Sequence, residues 1–360
     1  MPTSSRPMGG SKLLQRLLLL LPFLDSFYTA NAYLIPGRRR TAALPLLYST
    51  ADPGSDGGVG SNTNARMPMK PGSTVALITP FSVDTGNIDY QGLRQLLRYH
   101  VEAGTDNLCI LGTTGEASSM TMEERQQVLQ IAVEEVKGVM PILVGTGTIN
   151  PDNVKAQTLQ AMDLGCDAAL VVTPYYVKPP QRCLVQHMVT TADLGLPVVI
   201  YNVPGRTGVN FLDENIAIAS QHENVVGLKD ATGDLTRIEQ VRPLVGDDFL
   251  LYSGDDGTSL EYLRRGGDGF ISVTANIAAA AMKDLVTAVR EQRMDDADAI
   301  NRRLDILHQK LFLESNPIPT KWAAAKLGLV DSAYCRRPLA EFDSALHAEL
   351  EQALQDAGML

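Results

Sequence analysis

One lysine in this chain stands where a nucleophile could work. The sequence holds ten lysines, and Lys229 alone closes an apolar, strand-like run, Val225-Val226-Gly227-Leu228, before Asp230-Ala231-Thr232-Gly233. An amine at the end of a buried strand loses its water, desolvation favours the neutral form, and a neutral amine attacks ketones. Lys229 is therefore a Schiff-base candidate; the plainer alternative is an ion pair between Lys229 and Asp230 at a rim. Gly112-Thr113-Thr114-Gly115-Glu116 offers two hydroxyls and several backbone N–H groups in a tight turn, able to hold a carboxylate or simply to cap a helix. Arg206, within Tyr201-Asn202-Val203-Pro204-Gly205-Arg206-Thr207-Gly208, presents a bidentate fork for a substrate carboxylate, or else a solvated loop charge. Thr173-Pro174-Tyr175-Tyr176 is open between packing and catalysis. Ser253-Gly254-Asp255-Asp256 sets two carboxylates at the end of another run; they would repel a phosphate and so favour unphosphorylated substrates.

These clusters share a position: each follows a short apolar run. Eight such runs occur, Val75–Ile78, Leu108–Leu111, Ile142–Val144, Ala169–Val172, Val198–Tyr201, Val225–Leu228, Phe249–Tyr252 and Gly269–Val273, each followed by an amphipathic stretch. Strands alternating with helices pair in parallel, and continuous rather than alternating apolar runs mean strands covered on both faces. Eight units predict an α/β fold, a TIM (β/α)8 barrel, with a doubly wound open sheet as the alternative. Barrel enzymes place their chemistry at the C-terminal ends of the strands, which is where the clusters lie. The barrel is expected over residues 71–294, and residues 295–360 read as a helical extension of about three helices, helical throughout, with breaks at Pro317, Pro319 and Pro338.

The 360 residues, 44% apolar and 20% charged, accommodate one such barrel of about 250 residues plus extensions. From residue 67 onward, 24 basic side chains face 38 acidic ones, which argues against a sequence-independent grip on nucleic acid or anionic lipid. Cys109, Cys166, Cys183 and Cys335 are too scattered for a disulfide framework and read as reduced. The five histidines form no zinc-like cluster with them, and none stands at a strand end.

Residues 1–70 read as a targeting presequence and linker. Lys12 and Arg16 accompany the apolar stretch from Leu13 to Leu24, too short to span a bilayer but suited to a signal-peptide core, and Ala30-Asn31-Ala32 follows. Beyond it Arg38-Arg39-Arg40 lies in a stretch without acidic residues between Asp25 and Asp52, as in a transit peptide. The order resembles the bipartite presequences of algae whose plastids have extra bounding membranes, which implies a mature protein in the plastid (chloroplast stroma); plain secretion is the alternative.

Taken together with Ile271-Ser272-Val273-Thr274-Ala275-Asn276 and Asn316-Pro317-Ile318-Pro319, the clusters above resemble the dihydrodipicolinate synthase family of pyruvate-dependent class I aldolases, in order from about Pro71 to the C-terminus. The resemblance implies that Lys229 forms an imine with pyruvate, that Thr113 and Thr114 hold the pyruvate carboxylate and relay protons, and that Tyr201 is the general acid/base. It implies that Tyr176 reaches across a tight-dimer interface of a homodimer or homotetramer. Arg206 would bind the carboxylate of the second substrate, L-aspartate 4-semialdehyde, while backbone of Gly254 and Ile271 lines the pyruvate pocket. It implies no organic cofactor and no metal, and neither a nucleic acid nor a membrane partner for the mature form. N-acetylneuraminate lyases share the barrel, lysine and tyrosine, but resemble this chain less in the loop that carries Arg206. A non-catalytic barrel would be expected to lack Lys229 or Tyr201. In lysine-inhibited members an interface pocket uses a glutamate and an asparagine after strand three. Here the matching positions are Ile149 and Asn153, with Ala117, Met122 and Arg125 after strand two and only Tyr175 keeping the pattern. Weak or absent inhibition by lysine is therefore expected, since a buried ammonium without a carboxylate partner is costly.

Overall fold

Eight parallel strands close on one another in sequence order: β1 Gly72–Ala76, β2 Asn107–Ile110, β3 Ile142–Gly145, β4 Ala168–Val172, β5 Val198–Asn202, β6 Val225–Asp230, β7 Leu250–Ser253 and β8 Gly269–Ser272. In this computed structural model, which describes residues 68–360, β8 pairs back onto β1 through Thr74 and Ile271, so the sheet is a closed barrel rather than an open one. The targeting presequence expected from the sequence, with its Ala30-Asn31-Ala32 site, falls outside the described residues. A helix follows every strand: Tyr90–Glu102, Met122–Val136, Pro151–Asp163, Gln181–Ala192, Asp213–Ala219, Thr236–Val241, Ser259–Arg264 and Ala279–Arg290. Among the described residues no helix is long and apolar enough to cross a membrane.

Alternation along each strand divides the apolar side chains between two cores. Val75, Leu108, Ile110, Ile142, Val144 and Val171 face outward into the layer between barrel and helices. Ala76, Cys109, Leu143, Leu170, Val199, Tyr201, Tyr252 and Ile271 face inward and fill the barrel. Met69, counted with the linker from sequence, joins the inner core, and the Lys70 N–H donates to Asn107 Oδ1 at 2.9 Å, so both residues belong to the barrel.

The apolar run of the first strand extends past the ladder that it forms. Leu77 N–H still donates to the Cys109 carbonyl at 2.9 Å, but Ile78 N–H donates to the side-chain oxygen of Asn276 at 2.9 Å. The Asn276 amide in turn donates to the Ala76 and Val273 carbonyls, both within 2.9 Å. A side chain from the loop after β8 thus replaces the ladder and bends the chain away.

Three helices follow the barrel, Met294–Lys310, Ile318–Lys326 and His347–Asp356. The extension is not helical throughout, as the sequence reading had it: residues 327–343 form turns and extended chain. Arg336 shows why this stretch stays open. Its guanidinium donates to the Gly86 and Ser119 carbonyls and to both Glu124 oxygens, at 2.6 to 3.1 Å. Contacts with parts of the chain more than two hundred residues away outweigh local helix formation there.

Candidate active site

Lys229 lies on β6 between two tyrosines on neighbouring strands, since Tyr201 of β5 and Tyr252 of β7 share its register position. Its side chain points into the barrel, 7% exposed, with Nζ 4.4 Å from the centre of the Tyr201 ring. That geometry lets the ring quadrupole attract the ammonium. Asp230 points the other way, as alternation requires. It is held by Arg237 Nε at 2.8 Å and by the Thr232 N–H at 3.0 Å, so the rim ion pair between Lys229 and Asp230 is not what forms. Gly254 is small for a reason: a Cβ there would lie 3.0 Å from Lys229 Cε and 2.8 Å from the Ala231 Cβ. Any larger residue would push the lysine stem aside. Cys109 is an inward neighbour to which sequence reasoning gave no place; burial raises its thiol to about 11 against the lowering influence of Lys229, so it stays a neutral thiol near the amine.

The Gly112–Glu116 turn is held from outside the barrel. Leu111 and Glu116, which bracket it, both adopt positive φ, 56° and 54°, a left-handed conformation that costs a non-glycine residue about 1–3 kcal/mol and persists only where surroundings impose it. Those surroundings come from the C-terminal extension. Glu116 Oε1 pairs with Lys321 Nζ at 2.7 Å, both side chains almost fully buried, and Glu116 Oε2 accepts the Arg336 N–H at 2.9 Å. Burial lowers the Lys321 pKa while Glu116 opposes that shift. Thr114 Oγ1 accepts a hydrogen bond from Asn316 Nδ2 at 2.8 Å. Because the oxygen is already accepting, the Thr114 proton is left to donate, which suits a carboxylate. Asn316 stood out in the sequence only as part of the Asn316–Pro319 motif, with no role attached, and Lys321 and Arg336 did not stand out at all: their partners lie more than two hundred positions away.

Arg206 stands on a one-turn helix, Pro204–Thr207, where the sequence suggested loop. Asn202 secures the segment by donating to Asn210 Oδ1 at 2.8 Å and accepting from Phe211 N–H at 3.0 Å. The Arg206 side chain is exposed, and among the described residues no carboxylate pairs with it. A cavity of about 330 Å³ brings Thr113, Tyr201, Arg206 and Tyr175 together, with Arg125 and Gln157 also on its wall. Lys229 is not on that wall and meets the cavity through the Tyr201 ring. Thr114, Gly254 and Ile271 are likewise absent from it; Ile271 is buried in the inner core beside Tyr201 and Tyr252. Tyr176 is set apart, 86% exposed, with φ of 71°.

The two aspartates after β7 are consumed by structure. Asp256 Oδ2 accepts the Val273 and Thr274 N–H groups at 2.8 and 2.9 Å, and Asp255 Oδ2 accepts from the Thr258 hydroxyl at 2.7 Å. Among the described residues no group of three or more His, Cys, Asp or Glu side chains is arranged to hold a metal ion.

Comparison with known proteins places these features in company. Residues 69–357 match the model of the Dihydrodipicolinate synthetase family. A relative from Pseudomonas aeruginosa, 4-hydroxy-tetrahydrodipicolinate synthase, is 44% identical over 293 residues, covering 81% of this chain and all of the relative. Among solved structures, dihydrodipicolinate synthase from Thermotoga maritima is 37% identical with a TM-score of 0.79, covering 81% of this chain and all of that one. The chloride-inhibited dihydrodipicolinate synthase from Acinetobacter baumannii, complexed with pyruvate, is 41% identical with a TM-score of 0.77 and the same coverage.

Proposed function

The chain belongs to the dihydrodipicolinate synthetase family, and we propose that Lys229 carries its reaction by forming an imine with pyruvate. The protein has the activity of a 4-hydroxy-tetrahydrodipicolinate synthase, a Schiff-base-forming lyase that condenses pyruvate with L-aspartate 4-semialdehyde in the diaminopimelate route to lysine. The observation that carries the assignment to Lys229 is its place: an amine inside the barrel, flanked by Tyr201 and kept clear by Gly254.

In this reading Nζ attacks the ketone carbon of pyruvate, a C–N bond forms and water leaves. The iminium makes the methyl protons acidic, and removing one gives an enamine. The enamine carbon then bonds to the aldehyde carbon, whose oxygen takes up a proton. The second substrate's own amine displaces Lys229 at the imine carbon, which closes the ring and frees the enzyme. Tyr201 is the general acid/base, with Thr113 beside it on the cavity wall as relay. Thr114, its oxygen occupied by Asn316, donates to the pyruvate carboxylate. Gly254 and Ile271 line the pyruvate pocket, and Arg206 takes the carboxylate of the semialdehyde. Borohydride with pyruvate should label Lys229 irreversibly, as read by peptide mass mapping; a Lys229→Arg protein that formed the adduct at full yield would overturn the assignment.

A homodimer or homotetramer is supported by exposed apolar side chains near the site, Tyr176, Val177 and Ile149. For the mature protein we place the reaction in the plastid stroma, on the signal-like core, the Ala30-Asn31-Ala32 site and the acid-poor arginine run of residues 1–70. A fluorescent protein fused behind residues 1–70 is expected in the plastid of a suitable alga; delivery to the medium or to mitochondria would contradict this.

A further inference from the structure

The seam between β7 and β8 is the shortest in the barrel. It pairs only Tyr252 with Gly269 and Ser253 with Phe270, whereas every other seam pairs three residues or more. Had the ladder continued in the same register, Gly254 would pair with Ile271 and Asp256 with Val273. The strands part at the first of these positions and are rejoined at the second, by a side chain. Asp256 is 3% exposed, and its Oδ2 accepts the Val273 and Thr274 N–H groups at 2.8 and 2.9 Å, with the Thr274 hydroxyl at 3.3 Å. A carboxylate suits this place because one oxygen accepts several donors through charge-assisted bonds.

Both sides of the rejoined seam are fixed before any ligand arrives. Ser253 Oγ donates to the Asp255 carbonyl at 2.9 Å and accepts the Asp255 N–H at 3.2 Å, which turns the chain tightly after β7. After β8, Ser272 Oγ accepts the Ala275 N–H at 2.9 Å and Asn276 holds the Val273 carbonyl. Thr274 Oγ1 also lies 2.9 Å from Nδ1 of His308, in the helix Met294–Lys310 of the extension.

The gap between the two closures lies at the catalytic amine. Gly254 packs against the stem of Lys229, and Ile271 sits beside Tyr201 and Tyr252 in the inner core. Backbone pairing of Ser253 with Phe270 bounds the gap at one end, and Asp256 bounds it at the other.

We propose that Asp256 is a positioning residue for the pyruvate step: by rejoining the seam it fixes the gap in which the backbone of Gly254 and Ile271 meets pyruvate, and so sets the affinity for pyruvate without touching it. This rests on the reading that pyruvate joins Lys229 in a pocket lined by those two residues.

Steady-state kinetics with each substrate varied in turn, and borohydride trapping of pyruvate, test this on the full protein. Asp256→Ala should raise KM for pyruvate at least about tenfold, and slow trapping at subsaturating pyruvate by a similar factor, because the ligand must then order a gap that was preorganised. KM for aspartate semialdehyde, set by Arg206, should move less than about twofold. A residue that only stabilised the fold would lower Tm and kcat and leave KM for pyruvate alone. Asp256→Asn keeps an acceptor oxygen at the same reach and should recover most of the lost affinity. Should Asp256→Ala fail to fold, Asp256→Glu keeps both oxygens but adds a methylene, and is expected to raise KM for pyruvate with the same selectivity. An unchanged KM for pyruvate, equal rises for both substrates, or an Asp256→Asn protein as impaired as Asp256→Ala would each overturn the proposal. A wild-type protein that took no label at Lys229 would overturn the imine reading and this proposal with it; a labelled wild type beside an unchanged KM in the variant sinks this proposal alone.

Discussion

Arg206 and Arg125 line one cavity but stand in different surroundings. Arg206 is exposed on a one-turn helix, so it keeps its hydration until a substrate displaces water, and it can move towards a carboxylate. Its expected role is therefore confined to the second half of the reaction. Arg206→Ala should lower kcat/KM for aspartate semialdehyde roughly ten- to a hundredfold, the loss of one charge-assisted hydrogen-bonding group, while leaving pyruvate imine formation nearly unchanged. Borohydride trapping and steady-state kinetics on the same variant separate the two, and an equal loss in both would contradict the role. At this scale Lys229 was legible because alternation puts it inward and Asp230 outward. Arg125 was legible only through the family resemblance, as a position of the interface pocket; that it is buried with no carboxylate paired to it among the described residues shows only in the packed structure.

The strands were legible as elements because a parallel barrel buries both of their faces, leaving continuous apolar runs bounded by polar turns. Their ends were less so. Whether β1 continues past Ala76 depends on where the Asn276 side chain lands, and no local pattern carries that. The same limit hid the link between the extension and the Gly112–Glu116 turn. That link supports a prediction at the level of elements: the Lys321–Glu116 pair sets the turn that carries Thr113 and Thr114. Removing one partner of a buried pair leaves the other charge uncompensated, so Lys321→Met should cost about 3–5 kcal/mol. The double variant Glu116→Gln with Lys321→Met should recover more than half of that, since glutamine still accepts from the Arg336 N–H without a charge. Urea unfolding at one fixed protein concentration checks this. Simple additivity of the two single losses would mean that the residues do not act as a pair.

Tyr176 makes no sense within one subunit. It is 86% exposed and its backbone is held in a left-handed conformation, with the N–H donating to the Thr207 carbonyl at 3.1 Å. A non-glycine residue pays for that conformation, and an exposed ring returns nothing. A neighbouring subunit would return it, by burying the ring and bringing the hydroxyl to a second active site. In a two-fold dimer each surface meets its own copy, so a residue given to the partner's site is also received from it. This has a consequence for mixed dimers. A subunit with Tyr176→Phe keeps its own Lys229, and a subunit with Lys229→Ala keeps its own Tyr176. If Tyr176 serves the partner, the heterodimer holds one complete site and one site lacking both groups. Random exchange makes half of the dimers mixed, so activity should recover to about a quarter of the wild-type value. If Tyr176 serves its own subunit, the heterodimer holds two sites with one defect each, and mixing restores nothing. Equal amounts of the two variants, dissociated, recombined and verified as heterodimers by distinct affinity tags, decide between these: activity no higher than the mean of the separate variants would place Tyr176 outside the partner's site.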